Sequence, residues 1–131
     1  ERRGIQVPYP GGNDLSRRLD LGKNLHDYVR VCLHPNHPMK YIACKEGRIP
    51  NPTILEIDPE VLLWATTLYS NVNAAAGNAN IGSTFTQFSQ IDFDLCNSGK
   101  WTCEREKHYF QAEILIKKFL PIEFILNIND L

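Results

Sequence analysis

Apolar and polar positions alternate over short stretches of this chain, most clearly in residues 109–116, where an apolar run contains a Gln and a Glu. Successive side chains of a strand point to opposite faces of a sheet. As a strand, this run would turn four side chains into a core: Phe110, Ala112, Ile114 and Ile116. The other face would carry Tyr109, Gln111, Glu113 and Leu115. Burying an ionised carboxylate is unfavourable unless a charged or hydrogen-bonding partner offsets the lost hydration. This face is therefore either the floor of a polar cleft or the solvent-exposed face of an edge strand.

The same alternation predicts further strands between turn residues. The predicted strands cover residues 27–33, 39–44, 53–57, 66–69 and 122–128. Asp58-Pro59 predicts a helix start, with Asp as the N-cap and Pro at the first helical position, and short helices are expected at residues 15–19 and 84–88. Residues 71–83 form a polar loop, residues 93–101 are irregular, and the charged run 104–108 leads into the Glu113 strand. Many strands with few helices, not regularly alternating, predict an α+β fold.

Length and composition suit one globular domain spanning residues 1–131. The hydrophobic fraction is 43% and the charged fraction 22%, which is ordinary for a soluble globular protein. No run approaches the roughly 18 apolar residues of a membrane span, and no signal peptide is evident. We therefore expect a cytoplasmic protein, and both ends suggest a piece of a longer chain.

The net charge of −1 gives no global electrostatic argument for nucleic-acid binding. The charge is uneven, however, because basic residues are concentrated in residues 1–23: Arg2, Arg3, Arg17, Arg18 and Lys23, against Glu1, Asp14 and Asp20. This basic arm is compatible with a phosphate-bearing partner, although a solvated loop is the simpler interpretation.

The types and spacing of the residues argue against three well-known kinds of functional site. Cys32-x-His34-x-x-His37 has no second cluster to complete a tetrahedral zinc site, so we expect turn histidines and no metal. Gly77 and Gly82 lie in the polar loop, but no Lys follows the second glycine, which excludes a Walker A sequence. A carboxylate pair for glycoside hydrolysis would need a partner for Glu113, and Glu56 and Glu123 have no comparable polar neighbours.

Five segments occur together in a recognisable order: Glu1-Arg2-Arg3, Gly11-Gly12, Leu25-His26-Asp27-Tyr28-Val29, Pro38-Met39 and Gln111-Ala112-Glu113-Ile114-Leu115. Over nearly its whole length the chain resembles the DarT family, the toxin half of DarT–DarG toxin–antitoxin pairs. Members of that family ADP-ribosylate bases of single-stranded DNA and use NAD as the ADP-ribose donor. The resemblance implies an ADP-ribosyltransferase-like split mixed sheet with short helices and a possible DarG-type macrodomain antitoxin as a partner.

The resemblance also implies roles for individual residues. The Glu of the Q-A-E segment is catalytic in the family and corresponds to Glu113, and the essential arginine of the E-R-R segment corresponds to Arg3, or to Arg2 if the register slips. Gln111, two positions before the Glu, would contact the accepting group. Tyr109, beside it, and Asn73, in the polar loop, complete the expected substrate-binding set.

The chemistry suits these residue types. Cleavage of the nicotinamide–ribose bond develops positive charge on the ribose, which a carboxylate stabilises, and the same carboxylate can accept a proton from the attacking base. A guanidinium can hold phosphates bidentately, and the Gln111 amide can read a base edge. Thymine is the favoured acceptor and guanine the second candidate.

Three departures from the family's pattern accompany the resemblance. The family's first strand, an I-x-H-I-T segment whose histidine grips NAD, does not occur in this sequence, and the C-terminal portion is not visible beyond Leu131. Relatives often carry Arg where this chain has Asn36. We therefore expect a chain truncated at both ends, with the longer parent protein as the better candidate for activity. The alternative is a degenerate module of the same fold that binds nucleic acid or protein without chemistry.

Overall fold

The computed structural model describes residues 3–5 and 25–130, and within them the strands form two sheets. In the smaller sheet β1 (Gly4–Ile5) pairs with β6 (Leu120–Pro121). The larger sheet has four strands in the order β2-β5-β3-β4. These strands are β2 (Tyr28–Cys32), β3 (Leu68–Ser70), β4 (Ile81–Gly82) and β5 (Glu113–Lys117). Each recorded strand pair is antiparallel.

Short helices surround the sheets. The α-helices are α1 (Pro38–Lys45), α2 (Phe85–Ser89), α3 (Phe93–Ser98) and α4 (Glu104–Phe110). Single 3-10 turns occupy Pro59–Leu63, Ile122–Phe124 and Ile128–Asp130. The expected α+β class and the division of the strands between two sheets are therefore confirmed.

Strand β5 is buried on both faces. Ile114 and Ile116 pack in the main core together with Val29 from β2, while Leu115 packs on the opposite face with Leu25 and Ala74. The alternation predicted for Glu113 to Ile116 is confirmed. Because β5 has a hydrogen-bonded neighbour on each side, the edge-strand interpretation is wrong.

Three other predicted elements are confirmed in the described residues. Strand β2 lies within the predicted run 27–33, β3 overlaps 66–69, and α2 overlaps 84–88. Asp58 caps the Pro59–Leu63 turn by accepting a hydrogen bond from the Glu60 backbone N–H at 2.9 Å. The helix predicted at residues 15–19 falls outside the described residues.

The strand predicted at residues 39–44 is wrong, because the segment is helix α1. Its start carries the signals of a helix N-terminus: Pro38 stands in the first turn, and the His37 side chain accepts a hydrogen bond from the Met39 backbone N–H. The prolines on either side of His37 therefore mark a turn that leads into a helix.

Residues 104–110 also form a helix, α4, so the prediction of a strand beginning at Tyr109 is wrong. Acidic residues occupy its first turn and basic residues its last, the arrangement that the helix dipole favours. The irregular structure predicted for 93–101 is wrong as well, because α3 lies there, capped by Asp92 and ended by Gly99 at a φ of 74°.

The strands predicted at 53–57 and 122–128 are reduced to one isolated bridge between Ile57 and Ile125. The second segment instead contains the 3-10 turn Ile122–Phe124 and the first residue of the turn Ile128–Asp130. Asn127 fastens this region by side-chain hydrogen bonds, accepting from the Glu56 backbone N–H at 2.9 Å and donating to the Ile54 carbonyl at 2.8 Å.

Candidate active site

The site centres on Glu113, the first residue of β5. Its side chain is only 7% exposed, yet it lies at the end of a strand where α4 gives way to the sheet. Across the sheet it is level with Cys32 of β2 and Ser70 of β3. The backbone of Glu113 is therefore positioned by the interior strand of the sheet and not by a loop.

Arg30 of β2 holds this carboxylate with two hydrogen bonds. Its Nε lies 2.6 Å from Glu113 Oε2 and its second terminal nitrogen lies 2.8 Å from Oε1. Arg30 is level with Leu115 in the strand register, so it shares the sheet face of Glu113. Such a fork-to-carboxylate pair fixes the plane of the carboxylate as well as neutralising its charge.

The polar loop 71–80 completes the site on the sheet face that carries Arg30 and Glu113. The Ala74 backbone N–H donates to Glu113 Oε1 at 3.1 Å. Asn73 Oδ1 accepts from Arg30 at 3.0 Å and from the Ala75 backbone N–H at 2.9 Å. Asn71 Oδ1 closes the loop by accepting from the Asn80 backbone N–H at 2.9 Å. The loop is thus built around the Arg30–Glu113 pair.

His37 lies at the edge of this group, 7% exposed, at the start of α1. Its Nδ1 accepts the Met39 backbone N–H at 3.1 Å, so the neutral ring carries its proton on Nε2. Burial lowers the pKa of His37, while the Glu113 carboxylate acts in the opposite direction. The ring is therefore a neutral donor close enough to feel the charge of Glu113.

Two thiols near the site are unreactive in character. Desolvation by surrounding atoms raises the pKa of Cys32 although part of the residue reaches solvent, and the charge of Glu113 adds to this effect. Burial raises the pKa of Cys96 to about 11. Because the thiolate is the nucleophilic form, neither residue is suited to nucleophilic catalysis.

The other predicted substrate-binding residues occupy different positions around Glu113. Asn73 belongs to its immediate surroundings through Arg30. Gln111 is the C-cap of α4, and its side chain donates to the Lys107 carbonyl at 3.1 Å. Tyr109 lies in the last turn of α4, where the Arg105 guanidinium stacks 5.1 Å from its ring centre. Gln111 and Tyr109 therefore belong to the end of a helix and not to the strand that carries Glu113.

Of the two predicted arginines of the N-terminal arm, Arg3 lies in the described residues. Arg3 is exposed and precedes β1, where its carbonyl accepts the Ile122 backbone N–H at 2.8 Å. Arg2 falls outside the described residues. Among the described residues, the guanidinium that donates hydrogen bonds to Glu113 is that of Arg30.

Sequence reasoning missed Arg30, although a signal for it exists. The segment Tyr28-Val29-Arg30-Val31-Cys32 is a strand with one charged residue in its middle, the same feature that drew attention to Glu113. Two such strands carry opposite charges, and a buried charge needs a partner. The sequence could therefore have suggested that the two strands are neighbours.

Within residues 3–5 and 25–130, no three His, Cys, Asp or Glu side chains come together as metal ligands would. In that same part of the chain, every helix is too short or too polar to cross a bilayer.

Comparison with solved structures places this fold beside DarT proteins. The structure of Thermosipho africanus DarTG in complex with ADP-ribose aligns with 77% of this chain at a TM-score of 0.66 and 19% identity. Thermus sp. 2.9 DarT in complex with NAD+ aligns with 92% of it at 0.61 and 21% identity. The same protein with ADP-ribosylated ssDNA aligns with 95% at 0.60 and 21% identity.

The alignments cover 28% of the Thermosipho chain, and 60% and 58% of the two Thermus chains, so this chain spans less than two thirds of their length. No curated protein matches it. The family described as "ssDNA thymidine ADP-ribosyltransferase, DarT" matches residues 12–129. The match covers most of the sequence, and the chain therefore belongs to the DarT family.

Proposed function

We propose that this chain carries catalytic residues of an NAD-dependent enzyme that ADP-ribosylates thymine in single-stranded DNA. One observation carries the proposal: a carboxylate at the start of the interior strand, almost fully buried and held in a fixed plane by a bidentate guanidinium. Family membership and the fold of DarT structures in complex with NAD+ and with ADP-ribosylated ssDNA support it.

In the proposed reaction the bond between ribose C1′ and nicotinamide breaks, and nicotinamide leaves with the bonding electrons. A base nitrogen, thymine N3, forms the new bond to C1′ and loses its proton. Glu113 would stabilise the positive charge on the ribose and accept that proton. A fixed carboxylate with little surrounding water suits this role, because a preoriented charge need not reorganise during the reaction.

The remaining assignments extend this proposal. Arg3, or Arg2 in a shifted register, would hold the NAD phosphates, while Gln111 and Tyr109 at the end of α4 would contact the base. Asn73 would act close to Glu113, since its side chain already bonds Arg30. Residues 1–131 would form part of one domain acting in the cytoplasm. A DarG-type antitoxin would be its partner, as the DarTG neighbour suggests.

The experiment incubates the protein, in its full natural length, with NAD and single-stranded oligonucleotides that contain either thymine or guanine as the only candidate acceptor. Mass spectrometry should detect one added ADP-ribose on the thymine oligonucleotide. An adduct only on the guanine oligonucleotide would change the acceptor but keep the reaction type. No adduct on either, or an undiminished adduct with Glu113→Ala, would contradict the proposal.

The alternative is a degenerate module that binds nucleic acid or protein without chemistry. The observation in its favour is that both oxygens of Glu113 already accept hydrogen bonds from within the protein. Calorimetry separates the two functions: micromolar NAD binding that weakens in Arg3→Ala removes the alternative, whereas DNA binding without NAD binding supports it.

A further inference from the structure

We propose that Arg30 is a positioning residue that sets the orientation of the Glu113 carboxylate for the transfer reaction. The inference rests on the proposed function and adds a residue to it. Arg30 would act through Glu113, by fixing which oxygen faces the ribose, and would not itself hold NAD.

The geometry of the pair gives the first argument. A guanidinium that bonds both oxygens of a carboxylate prevents rotation about the bond that carries the carboxylate group. The two distances, 2.6 Å to Oε2 and 2.8 Å to Oε1, make the fork nearly symmetric. A lysine ammonium is a point charge without this planar fork, so it could neutralise Glu113 without setting its plane.

The distribution of hydrogen bonds gives the second argument. Among residues 3–5 and 25–130, Glu113 Oε1 accepts two hydrogen bonds, from Arg30 and from the Ala74 backbone N–H, whereas Oε2 accepts one, from Arg30 Nε. A carboxylate oxygen can accept two hydrogen bonds. Oε2 therefore retains acceptor capacity, and we assign it as the oxygen directed to the reacting group.

The attachment of Arg30 to the loop gives the third argument. The same terminal nitrogen that bonds Glu113 Oε1 also donates to Asn73 Oδ1 at 3.0 Å. Through this nitrogen, β2, β5 and the loop 71–80 meet at one point. Movement of the loop would thus be transmitted through Arg30 to the Glu113 carboxylate and would change the orientation of that carboxylate.

Stability alone is a weak reason for such a pair. Burying two opposite charges costs desolvation that their attraction often fails to repay, and apolar residues of similar volume frequently stabilise a core as well or better. Leu115, which is level with Arg30 in the strand register, is apolar and fully buried. The pair is therefore better explained by the orientation it imposes.

The test compares steady-state kinetics of Arg30→Lys and Arg30→Ala in the full-length protein, with NAD and a thymine-containing single-stranded oligonucleotide. We expect kcat to fall about a hundredfold in Arg30→Ala and about tenfold in Arg30→Lys, because a displacement of about 1 Å can cost a factor of this size. The KM for NAD should stay within a factor of about three, because a residue that acts through Glu113 contributes to the transition state and not to uniform NAD binding.

Arg48→Lys is the matched control. Arg48 is 23% exposed, against 25% for Arg30, and its Nε also bonds a glutamate, Glu46. Its kcat should remain that of the wild type. Thermal unfolding shows which variants are folded, and if Arg30→Ala does not fold, Arg30→Lys decides. Where Arg30→Ala folds, added guanidinium should restore part of its activity, and equal concentrations of ammonium should not.

Two results would overturn the inference alone: an active wild type with undiminished kcat in the folded Arg30 variants, or a loss expressed only as a raised KM for NAD. A wild type that forms no adduct would instead overturn the proposed function, and this inference with it.

Discussion

Two arginine–glutamate pairs in this molecule have similar local chemistry and very different settings. Arg30 and Glu113 are 83 positions apart and join β2 to β5, with the glutamate side chain 7% exposed. Arg48 and Glu46 are two positions apart beyond helix α1, and the glutamate side chain is 48% exposed. In both pairs an Nε–carboxylate contact is shorter than 3 Å.

The difference in burial shows which pair can take part in a reaction. An exposed local pair is screened by water and contributes about 0–1 kcal/mol. A buried pair between distant segments carries a desolvation cost, and it becomes costly to break because the remaining charge has no water to compensate it. Burial and additional partners, and not the ion pair as such, therefore mark Glu113 as a candidate for function.

Removing one arginine should separate the two pairs most strongly. Arg30→Met leaves Glu113 buried with the Ala74 N–H as its remaining recorded donor. We expect a loss of about 2 kcal/mol in the free energy of unfolding, less than for a fully buried pair because Arg30 is one-quarter exposed. Arg48→Met should cost about 0.5 kcal/mol or less. Urea denaturation measures the unfolding free energy of both variants. Equal losses would show that the buried pair contributes no more to stability than the exposed pair.

A double-mutant cycle sharpens the same comparison. Combining Arg30→Met with Glu113→Gln should give a coupling energy of about 1.5 kcal/mol, because the two groups share a network with little water. The matching cycle on Arg48 and Glu46 should give about 0.5 kcal/mol or less. A larger coupling in the exposed pair would show that burial does not govern the energetics here.

The loop contact should have a smaller effect. Asn73→Ala removes the acceptor shared by Arg30 and the Ala75 N–H, and about 1 kcal/mol of unfolding free energy should be lost. Asn78→Ala, in the same loop but exposed and bonded to His108, is the control and should be nearly neutral. Chemical denaturation of the two variants gives the comparison, and a costlier Asn78→Ala would contradict it.

The smallest effect concerns pH. Because burial lowers the pKa of His37 in the folded state, the unfolded chain binds a proton more readily, and acid favours unfolding. The His37 contribution is fully present above the unfolded pKa of about 6.5, and stability should fall by up to about 0.7 kcal/mol between about pH 7 and 6.

The variant His37→Asn keeps a capping side chain and should remove this pH dependence. Denaturation at several pH values measures the slopes, and a slope that survives His37→Asn would assign the titration to another group.

Much of the strand pattern could be predicted because burial imposes it locally. Glu113 to Ile116 alternate between faces as expected, and the β2, β3 and α2 signals lie within short windows. Helix α1 was missed because its apolar content was given more weight than its start, although Pro38 and the capping His37 carry the helix signal. In α4 the apolar end of the helix runs directly into β5, and composition alone does not separate them.

The site was predictable only in part, for a different reason. Glu113 is conspicuous within its own segment, and Asn73 came from the family resemblance. The pairing of Arg30 with Glu113 depends on which strands are neighbours, and a contact 83 positions apart is set by the tertiary fold. An isolated charge in each of two apolar strands was the available signal for it.

The most direct test of the account is the single-turnover rate of ADP-ribose transfer to a thymine oligonucleotide by Glu113→Gln, measured beside Glu46→Gln. The amide keeps the shape of the carboxylate but removes its charge, so the rate should fall about a thousandfold. NAD binding should change little, and Glu46→Gln should match the wild type. A Glu113→Gln enzyme that transfers ADP-ribose at the wild-type rate would contradict a catalytic role for this carboxylate.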